Sequence, residues 1–190
     1  MDLEQLRNRI DALDADLVRL LNERTQMALE IGKVKETGGA EAYAPARERA
    51  VRRRIEELNN GPLKGDSLQA IYREIMSAAL SLEKKVCIAF LGPEATFTHQ
   101  AARARFGASV EYVPADTITE VFSFVQKKKA LYGVVPIENS TEGAVTHTLD
   151  EFMSTPLKIC AEIYLPISQN LLAVCAQNEI QRVYSHPSVF

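Results

Sequence analysis

Apolar residues in the first part of the chain recur at helical spacing. Leu3, Leu6, Ile10, Leu13, Leu17, Leu20, Leu21, Ala28 and Ile31 stand mostly three or four residues apart, and neither Pro nor Gly interrupts them before Gly32. The pattern predicts one long helix reaching Lys35 or beyond, about 50 Å from end to end at ~1.5 Å per residue. Such a helix cannot bury its stripe alone and needs partners from the same chain or from a second copy. The TGG run at 37–39 ends it. Pro45 sits where a second helix begins, and ARERAVRRRIEEL (46–58) continues it. After the break NNGPLKGD, Asp66 or Ser67 is placed to cap a third helix through about Leu82, with Leu68, Ile71, Ile75 and Leu82 as its apolar side. Residues 1–84 are expected to form a small all-α, three-helix unit that dimerises. A plain coiled-coil oligomerisation module is the simpler alternative.

The period changes at Lys84-Lys85. From Val86 onward, short apolar runs alternate with amphipathic stretches. VCIAFLG reads as a strand, PEATFTHQAARARFG as a loop opening a helix, SVEYVPA as a strand, TITEVFSFVQKKK as a helix and LYGVVPI as a strand. ENSTEGAVTHTLDEFMS follows as a loop and helix, then LKICAEIYLPI and NLLAVCA as strands. This alternation predicts a mostly parallel sheet flanked by helices, so residues 86–190 form an α/β region.

Composition narrows the function classes. Apolar content of 46% with 25% charged residues is that of an ordinary soluble globular chain. A net charge of −3 leaves no polybasic footprint, which argues against nucleic acid and acidic membranes as partners. The KKK at 127–129 closes an amphipathic stretch and reads as a solvated face. Cys87, Cys160 and Cys175 share no CxxC spacing and lie in apolar runs, so buried reduced thiols in a cytoplasmic protein are expected. Three scattered histidines imply no metal site. The N-terminus is already an amphipathic helix, and no signal peptide or membrane segment is expected.

Cations on the helical stripe suggest chemistry. Arg24 and Lys35 are eleven residues apart, which places them within about 20° around a helix axis. Arg7 precedes Arg24 by seventeen residues, about 25 Å along the axis, so it cannot meet the same small molecule within one straight helix. An antiparallel second copy can bring its own Arg7 there. LRNRIDALDADLVRLLNERTQMALEIGKVK, YAPARER and IYREIMSAALSLE resemble the all-helical chorismate mutase family across 1–84, with Arg7, Arg24, Lys35 and the Arg47-Glu48 pair matching in order and spacing. The resemblance implies an entwined dimer in which the partner supplies Arg7. It assigns Arg7 and Arg24 to substrate carboxylates, Lys35 to a carboxylate and the ether oxygen, and Glu48 to the ring hydroxyl, with Arg47 beside them. The implied reaction is an intramolecular pericyclic shift of chorismate to prephenate, which requires no cofactor or metal. It requires a held conformer and stabilised charge on the breaking ether oxygen.

Three positions depart from the family pattern. Ala44 replaces the aspartate of a common YDP motif, and Ala79 stands where some members place a serine that touches a carboxylate. Glu83 stands where some relatives carry a glutamine that donates to the ether oxygen. A carboxylate cannot donate, so mutase activity is expected to fall as pH rises and Glu83 ionises.

In the α/β region, the loops GPEATFTH (92–99) and PIENSTEG (136–143) are expected at strand ends, where helix N-termini receive anions. FLGPEATFTHQAA, YGVVPIENSTEGAV, EIYLPI and VYSHP resemble the prephenate dehydratase family, which converts prephenate to phenylpyruvate between two lobes somewhat like those of a periplasmic binding protein. The resemblance implies substrate contacts from Thr96, Glu138, Asn139, Ser140 and Thr141 in a first lobe reaching about residue 165, and from Ser185 and His186 in a second lobe beginning at 166. Ala95 replaces a family glycine that permits close approach or positive φ, and Ser188 replaces a glutamine. The family's Thr-Arg-Phe motif and phenylalanine-binding domain do not occur within these 190 residues. The chain as it stands is therefore expected to lack competent dehydratase activity. Taken whole, it resembles the N-terminal half of bifunctional enzymes of phenylalanine biosynthesis. A non-catalytic dimerisation or anion-binding module, and a fragment of a fully bifunctional enzyme, are the alternatives.

Overall fold

The computed structural model of the chain describes residues 2–38, 45–83, 85–139 and 143–185, with backbone only at 36–38. Three helices come first: α1 (Leu3–Gly38), α2 (Pro45–Leu58) and α3 (Gly65–Glu83). Then follow β1 (Cys87–Leu91), α4 (Phe97–Phe106), β2 (Glu111–Ala115), α5 (Ile118–Gln126), β3 (Tyr132–Val134), β4 (Glu138–Asn139), β5 (Gly143–Ala144) and α6 (Thr146–Ser154). The chain divides into two compact units, Met1–Ile88 with Arg103–Val113, and Ala89–Ala102 with Pro114–Phe190.

In the first unit, α1 opens with a reciprocal cap. The Gln5 amide donates to Asp2 Oδ1 at 2.8 Å, and the Asp2 amide donates to Gln5 Oε1 at 3.1 Å. Ion pairs one turn apart, Arg19 with Asp16 and Glu23 and Lys33 with Glu30, line its polar side. Its apolar stripe is uncovered, with exposure running from 38% at Leu21 to 70% at Val34. Helix α3 packs against both α1 and α2, and Gln69 Nε2 ties it to the Arg52 carbonyl at 3.0 Å. The third helix begins at Gly65, not after a cap at Asp66 or Ser67. Lys64 O receives the Leu68 amide, which leaves Asp66 inside the first turn, where a carboxylate favours the exposed amides.

The stretch Arg103–Val113 lies on α3. Gly107, at φ +79°, would place a Cβ 2.5 Å from Ser77 Cβ, so only glycine fits both the turn and the contact. Ala108 N donates to Glu74 Oε2 at 2.8 Å, and Ser109 N donates to Ser77 Oγ at 3.1 Å. Tyr112 donates its hydroxyl to the Gly107 carbonyl.

The sheet runs in the order β2-β1-β3. Within the second unit, Ala89, Phe90, Ala102, Ala115, Ile118, Val121 and Phe122 are buried. Thr117 caps α5 by accepting from Glu120 N at 3.1 Å. Phe122 meets Phe152 of α6 edge to face at 5.0 Å. The buried Thr148 donates to Pro136 O at 2.7 Å, anchoring α6 beneath the loop before β4.

Two sequence expectations fail here. LKICAEIYLPI and NLLAVCA form no strand, and Tyr164 and Leu172 are 90% and 89% exposed. Alternation marks which face a strand would bury, but a strand exists only where a neighbour completes its ladder, and no described residue does so. For the same reason Cys160 and Cys175 are exposed rather than buried, and Cys87 is half-buried. Burial by its surroundings pushes the Cys87 thiol up, and Glu111 adds to the effect.

Candidate active site

Helix α1 is continuous from Leu3 to Gly38. Arg7 is therefore held about 25 Å along the axis from Arg24. Arg7 is exposed, while Arg24 and Lys35 are half-buried. Glu83, the last residue of α3, lies against Gly32 of α1. A side chain on Gly32 would begin 2.5 Å from Glu83 Cγ and 2.9 Å from its Cδ. The two helices enclose there a shallow cavity of about 220 Å³ lined by Gln26, Leu29, Gly32, Lys33, Leu82 and Glu83. Ala79, buried one turn before Glu83, brings no polar atom. Lys33 was not singled out by spacing. Gly32 carried the available signal, because a glycine inside a helix marks a close approach.

Glu48 occupies the first turn of α2 and is only 11% exposed. Arg52, one turn later, meets its Oε1 with Nε at 2.9 Å and Nη2 at 2.8 Å. Arg105, from the last turn of α4, meets Oε2 with Nη2 at 3.4 Å. The neighbouring Arg47 is exposed. Neither Arg52 nor Arg105 is among the site residues expected from the sequence. Arg52 is visible as an i,i+4 partner, whereas Arg105 comes from a distant part of the chain.

Beside this cluster the Ala108 N–H holds the Glu74 carboxyl below the usual carboxylate range, outweighing the opposing effect of burial, with Arg73 adding to it. Burial pushes the Tyr112 hydroxyl up to about 12.

In the second unit, Thr96 donates its hydroxyl to Leu91 O at 3.2 Å and accepts the His99 amide at 3.3 Å. A hydroxyl has one proton to give, so Thr96 acts here as the cap of α4. Ala95 sits at φ +65°, the conformation expected of the glycine it replaces. Its amide donates to His99 Nδ1 at 2.9 Å, which puts any proton of a neutral imidazole on Nε2. The His99 ring stacks on Phe90 with centroids 4.5 Å apart. The PIENSTEG loop does not open a helix. It forms an antiparallel ladder, Glu138 opposite Ala144 and Asn139 opposite Gly143, and α6 starts afterwards at Thr146. Glu138 and Ser185 are exposed and Asn139 is half-buried. Ser140, Thr141 and His186 lie outside the described residues, as does Ala44. Among the described residues there is no cluster of His, Cys, Asp and Glu that could hold a metal ion, and no helix long and apolar enough to cross a membrane.

Comparison with known proteins divides the chain in two. Residues 6–84 match the chorismate mutase type II family model, and residues 88–190 match that of prephenate dehydratase. A bifunctional chorismate mutase/prephenate dehydratase of Aquifex aeolicus is 47% identical over 190 residues, covering 97% of this chain and 52% of that one. Its counterpart from Neisseria gonorrhoeae is 46% identical over 182 residues, covering 95% and 50%. The chain thus spans about half the length of the curated relatives it matches. A solved chorismate mutase (form II) from Thermus Thermophilus aligns at 31% identity over 43% of this chain and 92% of its own, with a TM-score of 0.42. With the dehydratase model covering more than half of its length, the chain belongs to the prephenate dehydratase family, and a segment matching chorismate mutase type II precedes the dehydratase one.

Proposed function

We propose that the helical part is a chorismate mutase, and that the α/β part is the first portion of a dehydratase acting on the prephenate it forms. The observation that carries this reading is the presence of the two adjoining family matches, in this order, in one chain. Chorismate carries two carboxylates and rearranges without nucleophile or redox partner. Arg24 and a second copy's Arg7 bind the carboxylates through planar guanidinium forks. Lys35 stabilises charge on the ether oxygen as its bond to carbon breaks. Glu48 accepts from the ring hydroxyl, and Glu83 donates to the ether oxygen when protonated.

The uncovered stripe of α1 supports an entwined homodimer. Leu6, Ile10, Leu13 and Leu17 of this long helix are all about half exposed, although α3 packs against α1. We infer a cytoplasmic role in phenylalanine biosynthesis from the reactions named for its relatives. In the α/β part, Thr96, Glu138, Asn139, Ser140 and Thr141 belong on this reading to the first of two periplasmic-binding-protein-like lobes, and Ser185 and His186 to the start of the second. The use of the Thr96 hydroxyl as a helix cap shifts anion contact there toward the remaining donors.

The test is loss of chorismate absorbance with the purified chain. A catalysed rate that Arg24→Ala abolishes is expected, and mixing the inactive Arg7→Ala and Arg24→Ala chains should restore part of it through mixed dimers. A rate no greater than the uncatalysed one would leave a dimerisation or anion-binding module.

A further inference from the structure

Glu48 and Arg105 belong to the same compact unit, yet Arg105 lies outside the matched mutase segment 6–84. The pair is well shielded, with 16% of the Arg105 side chain and 11% of the Glu48 side chain exposed. An ion pair removed from water to this degree is felt much more strongly than a surface pair, and deleting one partner strands the other charge. Arg105 is also well supplied by its own element, because the last turn of a helix favours a cation.

The two guanidinium groups divide the carboxylate between them. Arg52 places two N–H groups on Oε1, and Arg105 places Nη2 on Oε2. An ionised carboxylate offers about four lone-pair sites. Arg52 uses those of Oε1, and Arg105 stands 3.4 Å from Oε2 as an ion-pair partner. Oε2 thus faces a cation while keeping acceptor capacity.

We propose that Arg105 is a positioning residue for Glu48, orienting the carboxylate so that Oε2 accepts the ring hydroxyl of the mutase substrate. The inference rests on the mutase reading above. It makes a residue of the dehydratase-matched segment part of the mutase machinery.

A double-mutant cycle on the full chain tests it. Arg105→Gln is expected to lower kcat/KM for chorismate about tenfold when Glu48 is present, and less than twofold in the Glu48→Gln background. Arg105→Lys, which keeps the charge, is expected to recover a large part of the loss. Melting curves of every variant accompany the kinetics, and Arg105→Lys with an unchanged Tm carries the test if Arg105→Gln folds poorly. Equal losses in the two backgrounds, or no loss in either, overturn the positioning role while leaving the mutase reading intact. A wild-type chain with no catalysed rate overturns that reading and the role of Arg105 with it.

Discussion

Glu83 reaches the flank of α1 at Gly32, a position that has no side chain. Its Cγ lies 2.5 Å from the place a Cβ on Gly32 would occupy. By intrinsic preference Gly32→Ala should stabilise the helix by up to about 1 kcal/mol. The contact reverses this, because a distance under 3.0 Å forces Glu83 to move from its root rather than at its flexible end. We expect Gly32→Ala to retain the helical circular dichroism spectrum and to lower the rate of chorismate loss at least tenfold.

The chemistry at Glu83 itself turns on which groups can donate. A carboxylate cannot donate to an ether oxygen, whereas an amide can. Glu83→Gln should therefore turn over chorismate faster than wild type. Equal rates for the two chains would remove Glu83 from this role.

Glu74 supplies a pH dependence of a different kind. Its carboxyl is held below the ordinary value of 4.5 chiefly by the Ala108 N–H. A group lowered in this way contributes stability that is present above pH 4.5 and is lost as pH falls through the lowered value. Hydrogen exchange at Ala108, corrected for its intrinsic rate, should show protection at pH 6 that disappears on acidification. Glu74→Gln keeps an acceptor but does not titrate, and its protection should be flat across the same range.

Ala95 adopts a left-handed conformation at φ +65°. That conformation costs an L-residue about 1–2 kcal/mol, while the extra freedom of a glycine in the unfolded chain offsets roughly 0.4–1 kcal/mol of the relief. Ala95→Gly is expected to raise stability by about 0.5–1 kcal/mol in denaturant titrations. Ala95→Val should lower it, because a β-branched side chain fits the left-handed region poorly.

What the sequence reveals follows the range of the interactions involved. Helix α1 was legible because its spacing and the TGG stop are local, and Ala95 because a missing glycine is itself a conformational statement. Helix α3 starts two or three residues earlier than caps at Asp66 or Ser67 indicate, since the chain does not use these good caps as such. LKICAEIYLPI carries strand alternation but has no ladder, because pairing is decided by what else is present and not by the segment. The Glu48–Arg105 contact was invisible for a similar reason. Glu48 advertises Arg52 four residues on, whereas nothing in the spacing of α4 points to α2.

The docking of Arg103–Val113 on α3 has a consequence for anyone wishing to transplant the helices. Cutting the chain in the Lys84-Lys85 region would treat the reading frame as the mechanical joint. It would leave the Glu74 carboxylate and the Ser77 hydroxyl without the two amides they now hold, and Glu48 with one guanidinium instead of two. A helical cassette moved into another protein would have to carry a stretch that the gene writes only after the next strand and most of the next helix.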